Sequence, residues 1–140
     1  MYRKIIIASI LLILLSSVIL YSYSNLPKPV SINISTDNCS KISISGFGNI
    51  YLSTKESIKI NRVIEYFNNL NFKKIHRKKI HNETPDCTVV LFDNNGVIIH
   101  KLNFYGPLLE YNNEQYKVVL SNTDEFYKSI EDLSISLREN

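Results

Sequence analysis

Cys87-Thr88-Val89-Val90-Leu91-Phe92-Asp93-Asn94-Asn95-Gly96-Val97-Ile98-Ile99-His100-Lys101-Leu102-Asn103-Phe104 reads as a β-hairpin, and this hairpin decides the fold. Two runs rich in β-branched and aromatic residues, 87–93 and 97–104, flank Asn94-Asn95-Gly96. Asn and Gly tolerate the positive φ that a short hairpin turn demands. Downstream, Gly106-Pro107 makes the next corner, and 108–111 pairs with 115–120 around Asn112-Asn113. Four antiparallel strands in series follow from these turns.

Working upstream, 30–34 and 41–45 alternate apolar and polar residues with period two, as half-buried strands do. Gly46-Phe47-Gly48 turns the chain into a short strand at 50–52. Ser53 and Glu56 have the spacing of a capping box that opens a helix. In that helix Ile60, Val63, Ile64, Phe67 and Leu70 line one face, and Asn68, Asn69 and Asn71 weaken its end. Residues 72–81 are strongly basic and lack clear periodicity. A last helix opens near Asn122 or Thr123, with Asp124 and Glu125 at its positive end. Phe126, Ile130, Leu133 and Leu137 form its apolar stripe. The expected class is α+β: a mostly antiparallel sheet in the order strands, helix, four-strand meander, helix, with both helices packed on it.

The N-terminus belongs to a different solvent. Residues 5–20 carry no charge, and Arg3 and Lys4 stand directly before them. A helix over 5–23 would rise about 28 Å, close to a hydrocarbon core of roughly 30 Å. Tyr21 and Tyr23 sit where an aromatic belt meets the far interface. Ser22-Tyr23-Ser24 also places small residues where a signal peptidase inspects the chain. Retained transmembrane anchor and cleaved signal peptide both remain open, and both export the remainder of the chain. The expected organisation is 1–24 as signal anchor or signal peptide, 25–29 as a proline-stiffened linker, and 30–140 as one extracytoplasmic domain.

Charge narrows the partners. The 140 residues carry 16 Lys/Arg and 13 Asp/Glu, but Arg3 and Lys4 precede the apolar run, so the exported part is nearly neutral. A general nucleic-acid binder would show a stronger basic excess. The densest basic run is Lys73-Lys74-Ile75-His76-Arg77-Lys78-Lys79. Lys73, Lys74, Arg77, Lys78 and Lys79 are therefore the candidate contact to an anionic surface, whether lipid head groups, wall polymer or an acidic protein. The competing reading is a solvated connection, since a short basic run is a low-specificity motif.

Cys39 and Cys87 are the only cysteines. Outside the cytosol such a pair favours a disulfide, worth about 4 kcal/mol in the chain-entropy view. Two unrelated thiols are the bland alternative, and neither lies in a C-x-x-C. Asn33, Asn38 and Asn82 head glycosylation triplets, which matter only in a cell that glycosylates. His76 and His81 share neither a helix face nor a strand face, and His100 sits mid-strand as an ordinary bonded histidine. No G-x-S-x-G, H-E-x-x-H, S-x-x-K or phosphate-binding glycine loop occurs. No catalytic, metal or cofactor site is expected. Glu110 and Glu114 bracket a turn and read as solvated. The six tyrosines beyond the anchor read chiefly as core cover with hydroxyls at the solvent edge.

The stretch from Ile50-Tyr51-Leu52-Ser53-Thr54-Lys55-Glu56-Ser57-Ile58 through Val63-Ile64-Glu65-Tyr66-Phe67-Asn68-Asn69-Leu70 to Phe72-Lys73-Lys74 resembles small membrane-anchored or lipoprotein-like domains of unknown function from low-GC Gram-positive bacteria. The resemblance covers 42–120 and implies a cell-surface α+β body without established catalytic residues. It carries no functional residue across, and no lipid-bearing cysteine follows the apolar run here. The expected role is a non-enzymatic, membrane-anchored binding or accessory domain, single-pass with its C-terminal domain outside the cytoplasm. A secreted inhibitor or immunity-type protein, released after Ser24, is the alternative.

Overall fold

The computed structural model describes residues 2–24, 29–76, 83–119 and 122–139, and within the first helix the side chains of 9–22. After α1 (Tyr2–Ser24) come β1 (Lys41–Gly46), β2 (Tyr51–Thr54), α2 (Ser57–Asn68), β3 (Phe72–Ile75), β4 (Cys87–Phe92), β5 (Ile98–Tyr105), β6 (Leu108–Tyr111), β7 (Glu114–Val118) and α3 (Thr123–Glu139). The α+β class holds. Seven strands form one sheet in the order β2-β1-β4-β5-β6-β7-β3, and every neighbouring pair is antiparallel. Counting described side chains alone, no helix is long and apolar enough to cross a membrane.

The turns follow their residues. Asn112 and Asn113 adopt φ of 50° and 61°, and Gly96 and Gly106 adopt 78° and 55°. Asp93 Oδ1 accepts from the N–H groups of Asn95 and Val97, which fixes the β4–β5 turn. Asn122 Oδ1 accepts from Asp124 N–H, capping α3 as its sequence implied.

The chain builds the sheet from its margins inward. The β1–β2 hairpin forms one edge, and α2 then carries the chain to the opposite edge, where β3 lies. Six strand spacings of about 4.8 Å put those edges roughly 29 Å apart. The 12 residues of α2 rise about 18 Å, so the flanking residues complete the crossing. The β4–β7 meander fills the gap, with β4 beside β1 and β7 beside β3.

Both helices cover one face. Phe104 of β5 is fully buried, its ring 5.6 Å from Phe67 of α2 and 5.2 Å from Phe126 of α3. Ile42, Ile44, Val89, Leu91, Leu102 and Leu109 share that face and are buried. The opposite face carries no helix among the described residues.

Three local expectations are corrected. Residues 30–34 do not form a laddered strand: Val30 alone pairs, with Phe72. Ile32 and Ile34 are buried all the same, because the Asn68 amide accepts from Ile34 N–H at 2.8 Å and donates to Ile34 C=O at 3.1 Å. Alternation there reports one-sided burial, not pairing. Next, the Ser53–Glu56 capping box does not form. Ser53 is held in the β1–β2 ladder opposite Ser43, so the helix opens at Glu56 without a side-chain cap bond. Glu56 instead reaches Lys59 at 3.0 Å. Finally, 72–75 is an edge strand, paired with β7, where the sequence showed only a basic run.

Phe104→Ala should remove about 3–5 kcal/mol of stability. Asn68→Ala should remove roughly 1–3 kcal/mol by orphaning both Ile34 backbone groups. Urea unfolding of the full chain measures both.

Candidate functional site

The sheet separates the basic run that the sequence presented as one patch. Lys74 lies on the helix-bearing side, in register with Tyr116, and its Nζ pairs with Glu114. Glu114 also accepts from the Tyr116 hydroxyl at 2.5 Å, so it is engaged rather than simply solvated. The Lys74 and Tyr116 hydrogen bonds hold its carboxyl below the usual range. Nearby, the Tyr111 hydroxyl meets His100 Nδ1 at 2.9 Å, so this histidine has a hydrogen-bond partner as expected.

Lys73 points the other way, onto the open face, directly opposite Lys117 of β7. Like charges facing each other across a ladder are destabilising. Lys73, Lys117, Val118 and Val119 line a depression of about 190 Å³. Along the same face, Lys101 lies opposite Val90, and Lys41 places its ammonium 5.3 Å from the Phe92 ring centroid. Four lysines from four strands thus share the open face with one carboxylate, Glu110. Lys73 alone of these appeared in the linear basic patch, because only strand register brings Lys41, Lys101 and Lys117 beside it. Arg77, Lys78 and Lys79 lie outside the described residues.

The cysteines are free thiols. Cys87 stands opposite Gly46 at one end of β1, while Cys39 precedes Lys41 at the other. Five residue steps, roughly 17 Å, separate those ends, well beyond the span of about 7 Å that a disulfide closes. The register of β1 against β4 therefore argues against the bridge. Burial pushes the Cys87 thiol from 9.0 up to about 12. Cys39, half-buried, has its Sγ 3.5 Å from Lys41 C=O.

A cleft of about 680 Å³ opens at the end of the sheet where the β1–β2 and β5–β6 turns meet the start of α3. Phe47, which is 67 % exposed, lines it together with Asp86, Asp124, Tyr127, Lys128 and Glu131. Asp86 Oδ2 accepts from Gly106 N–H at 2.5 Å and from the Tyr127 hydroxyl at 3.3 Å. The same hydroxyl donates to Gly106 C=O at 2.9 Å. Burial, with the adjacent Asp86 charge, drives the Tyr127 phenol well above its ordinary value. Its proton is shared between two acceptors that tie α3 to the sheet, so this tyrosine is a strut. Nothing in the local sequence announced the cleft, because its parts come from two turns, the residue before β4 and the start of α3, all distant from one another in sequence. Among the described residues no three His, Cys, Asp or Glu side chains converge as metal ligands.

The chain matches no protein-family model, no curated protein and no solved structure.

Two measurements test this chemistry. Alkylation of the unreduced protein in denaturant should modify both cysteines, and in the native state Cys39 should react while Cys87 does not. Stability should also fall in alkali. Burial, then the hydrogen bond to Glu114, raises the Tyr116 phenol from 10.0 to about 12. Cys87 and Tyr116 both hold their protons more tightly folded than unfolded. Their contribution is therefore complete below pH 9 and lost as pH rises towards 12. The urea midpoint should drop across that interval, less steeply in Tyr116→Phe.

Proposed function

We propose that this chain is a membrane-held, extracytoplasmic binding or accessory domain that works by contact rather than turnover. The observation that carries the reading is the surface of α1. From Ile10 to Leu20 every large apolar side chain is 53–74 % exposed. A helix that is apolar all round needs an apolar environment, which this domain does not supply at those positions. Its 23 residues rise about 34 Å, comparable to a bilayer core, and Arg3 and Lys4 favour a cytosolic N-terminus.

The body supports contact over catalysis. Its polar clusters, Lys74–Glu114–Tyr116 and Asp86–Tyr127–Gly106, are consumed in fastening elements together. A nucleophile would need an adjacent base and an orienting third group. The partner favoured by the lysine-bearing face is anionic.

In the cells that produce it, the protein should sediment with membranes at an intact mass of 16.2 kDa. Detergent should release it, and salt at about 1 M should not, because salt screens charge and leaves apolar insertion untouched. A C-terminal epitope should be open to protease from outside. A mature protein lacking residues 1–24 would replace the anchored reading with the secreted one.

A further inference from the structure

The domain is electrically two-sided. Lys41, Lys73, Lys101 and Lys117 mark the open sheet face, against Glu110 alone. On the other side, α2 and α3 together carry six Asp/Glu and four Lys/Arg. A nearly neutral body with this separation orients in the field of a charged plane.

The tether joins the same region. Val30 exchanges both backbone hydrogen bonds with Phe72, at 2.7 and 2.9 Å, and Lys73 is the next residue. The six residue steps from Ser24 to Val30 span at most about 21 Å. An anchored α1 therefore holds the Lys73 edge within that reach of the bilayer surface. There, the Lys73–Lys117 repulsion has a resolution: a phosphate group seated in the depression that both lysines line would bring one negative charge to the pair and offset it.

We infer that the open sheet face, centred on the Lys73–Lys117 pair, docks on an anionic phospholipid surface and takes head-group phosphate between those lysines, with α2 and α3 turned away from the membrane. This rests on the anchored reading for its geometry. It adds which face meets the lipid and which chemistry it meets.

The test uses the full chain reconstituted in vesicles of phosphatidylcholine, with or without phosphatidylglycerol. Lysines are acetylated briefly and quantified by mass spectrometry. Modification of Lys73, Lys101 and Lys117 should fall about threefold or more on the anionic vesicles and recover in about 0.5 M salt. Lys128, exposed on α3 across the sheet from this face, should not change. Lys101→Glu with Lys117→Glu should abolish protection of Lys73, whereas Arg62→Glu with Lys128→Glu, exposed on α2 and α3 and equal in net charge, should retain it. The first pair does not threaten the fold, since both side chains are exposed and a Glu opposite Lys73 relieves repulsion.

Equal labelling on the two lipids, or an equal fall at Lys128, would overturn the inference. Protection on neutral vesicles by soluble polyglutamate, with none from phosphatidylglycerol, would overturn it in favour of an acidic protein. Protection by inorganic phosphate alone would reduce the site to a free-anion site. Flotation with phosphatidylcholine reads the anchor separately. A chain that floats without lipid-dependent protection refutes the docking face alone. A chain that fails to float refutes the anchor, and protection by added anionic vesicles would then still support the face.

Discussion

Phe104 is the point at which three layers of the fold meet. Its ring lies against Phe67 from one helix and Phe126 from the other, so a single side chain near the middle of the sheet decides that α2 and α3 occupy the same side. Ile42, Val89, Leu102 and Leu109 extend that buried surface across four strands. The opposite side is then left to polar and half-exposed residues, and the charge separation of the domain is the result. Burial is the dominant favourable term here, and it is non-directional. Its direction in this molecule comes from strand pleating, which sends alternate residues to alternate faces.

The same pleating explains how much could be read in advance. The meander was legible because its turns are local: Asn112-Asn113, Gly96 and Gly106 each take the positive φ that their positions need. α3 was legible for the same reason, with its cap and its stripe written within a few turns of chain. Residues 30–34 misled because alternation records which side of an extended segment is buried. It does not record whether the backbone is paired, and there a side-chain amide from Asn68 does the holding. The capping box failed in competition with two further residues of hairpin.

The candidate site was legible only in part, because its logic is lateral. Lys73 was visible as one of a run, but its neighbours in space are Lys117 and, further across the sheet, Lys101 and Lys41. Those residues are distant in sequence, and their shared face appears only once the register is known. Lys74, adjacent in the chain, belongs to the other side of the sheet and to Glu114. The run therefore suggested the right charge at β3 but joined residues that the pleat divides. The two cysteines show the converse, for their number suggested a bond while the register of β1 against β4 sets them near opposite ends of one strand.

The topology has a bearing on how such a polypeptide matures. β1, β2 and β3 are early in the chain yet end as opposite margins of the sheet, and the strands that join those margins come afterwards. An incomplete chain ending before β4 has a lone two-stranded hairpin and a helix whose apolar face finds no Phe104 to meet. Two strands in isolation are marginal in water. Closure is thus withheld until nearly all of the sequence is present, and the β1–β4 and β3–β7 pairings that complete it join strands far apart along the chain, which slows collapse to the native form. A chain laid out in this way stays open to its surroundings until its last strands are made, and its two margins are joined late.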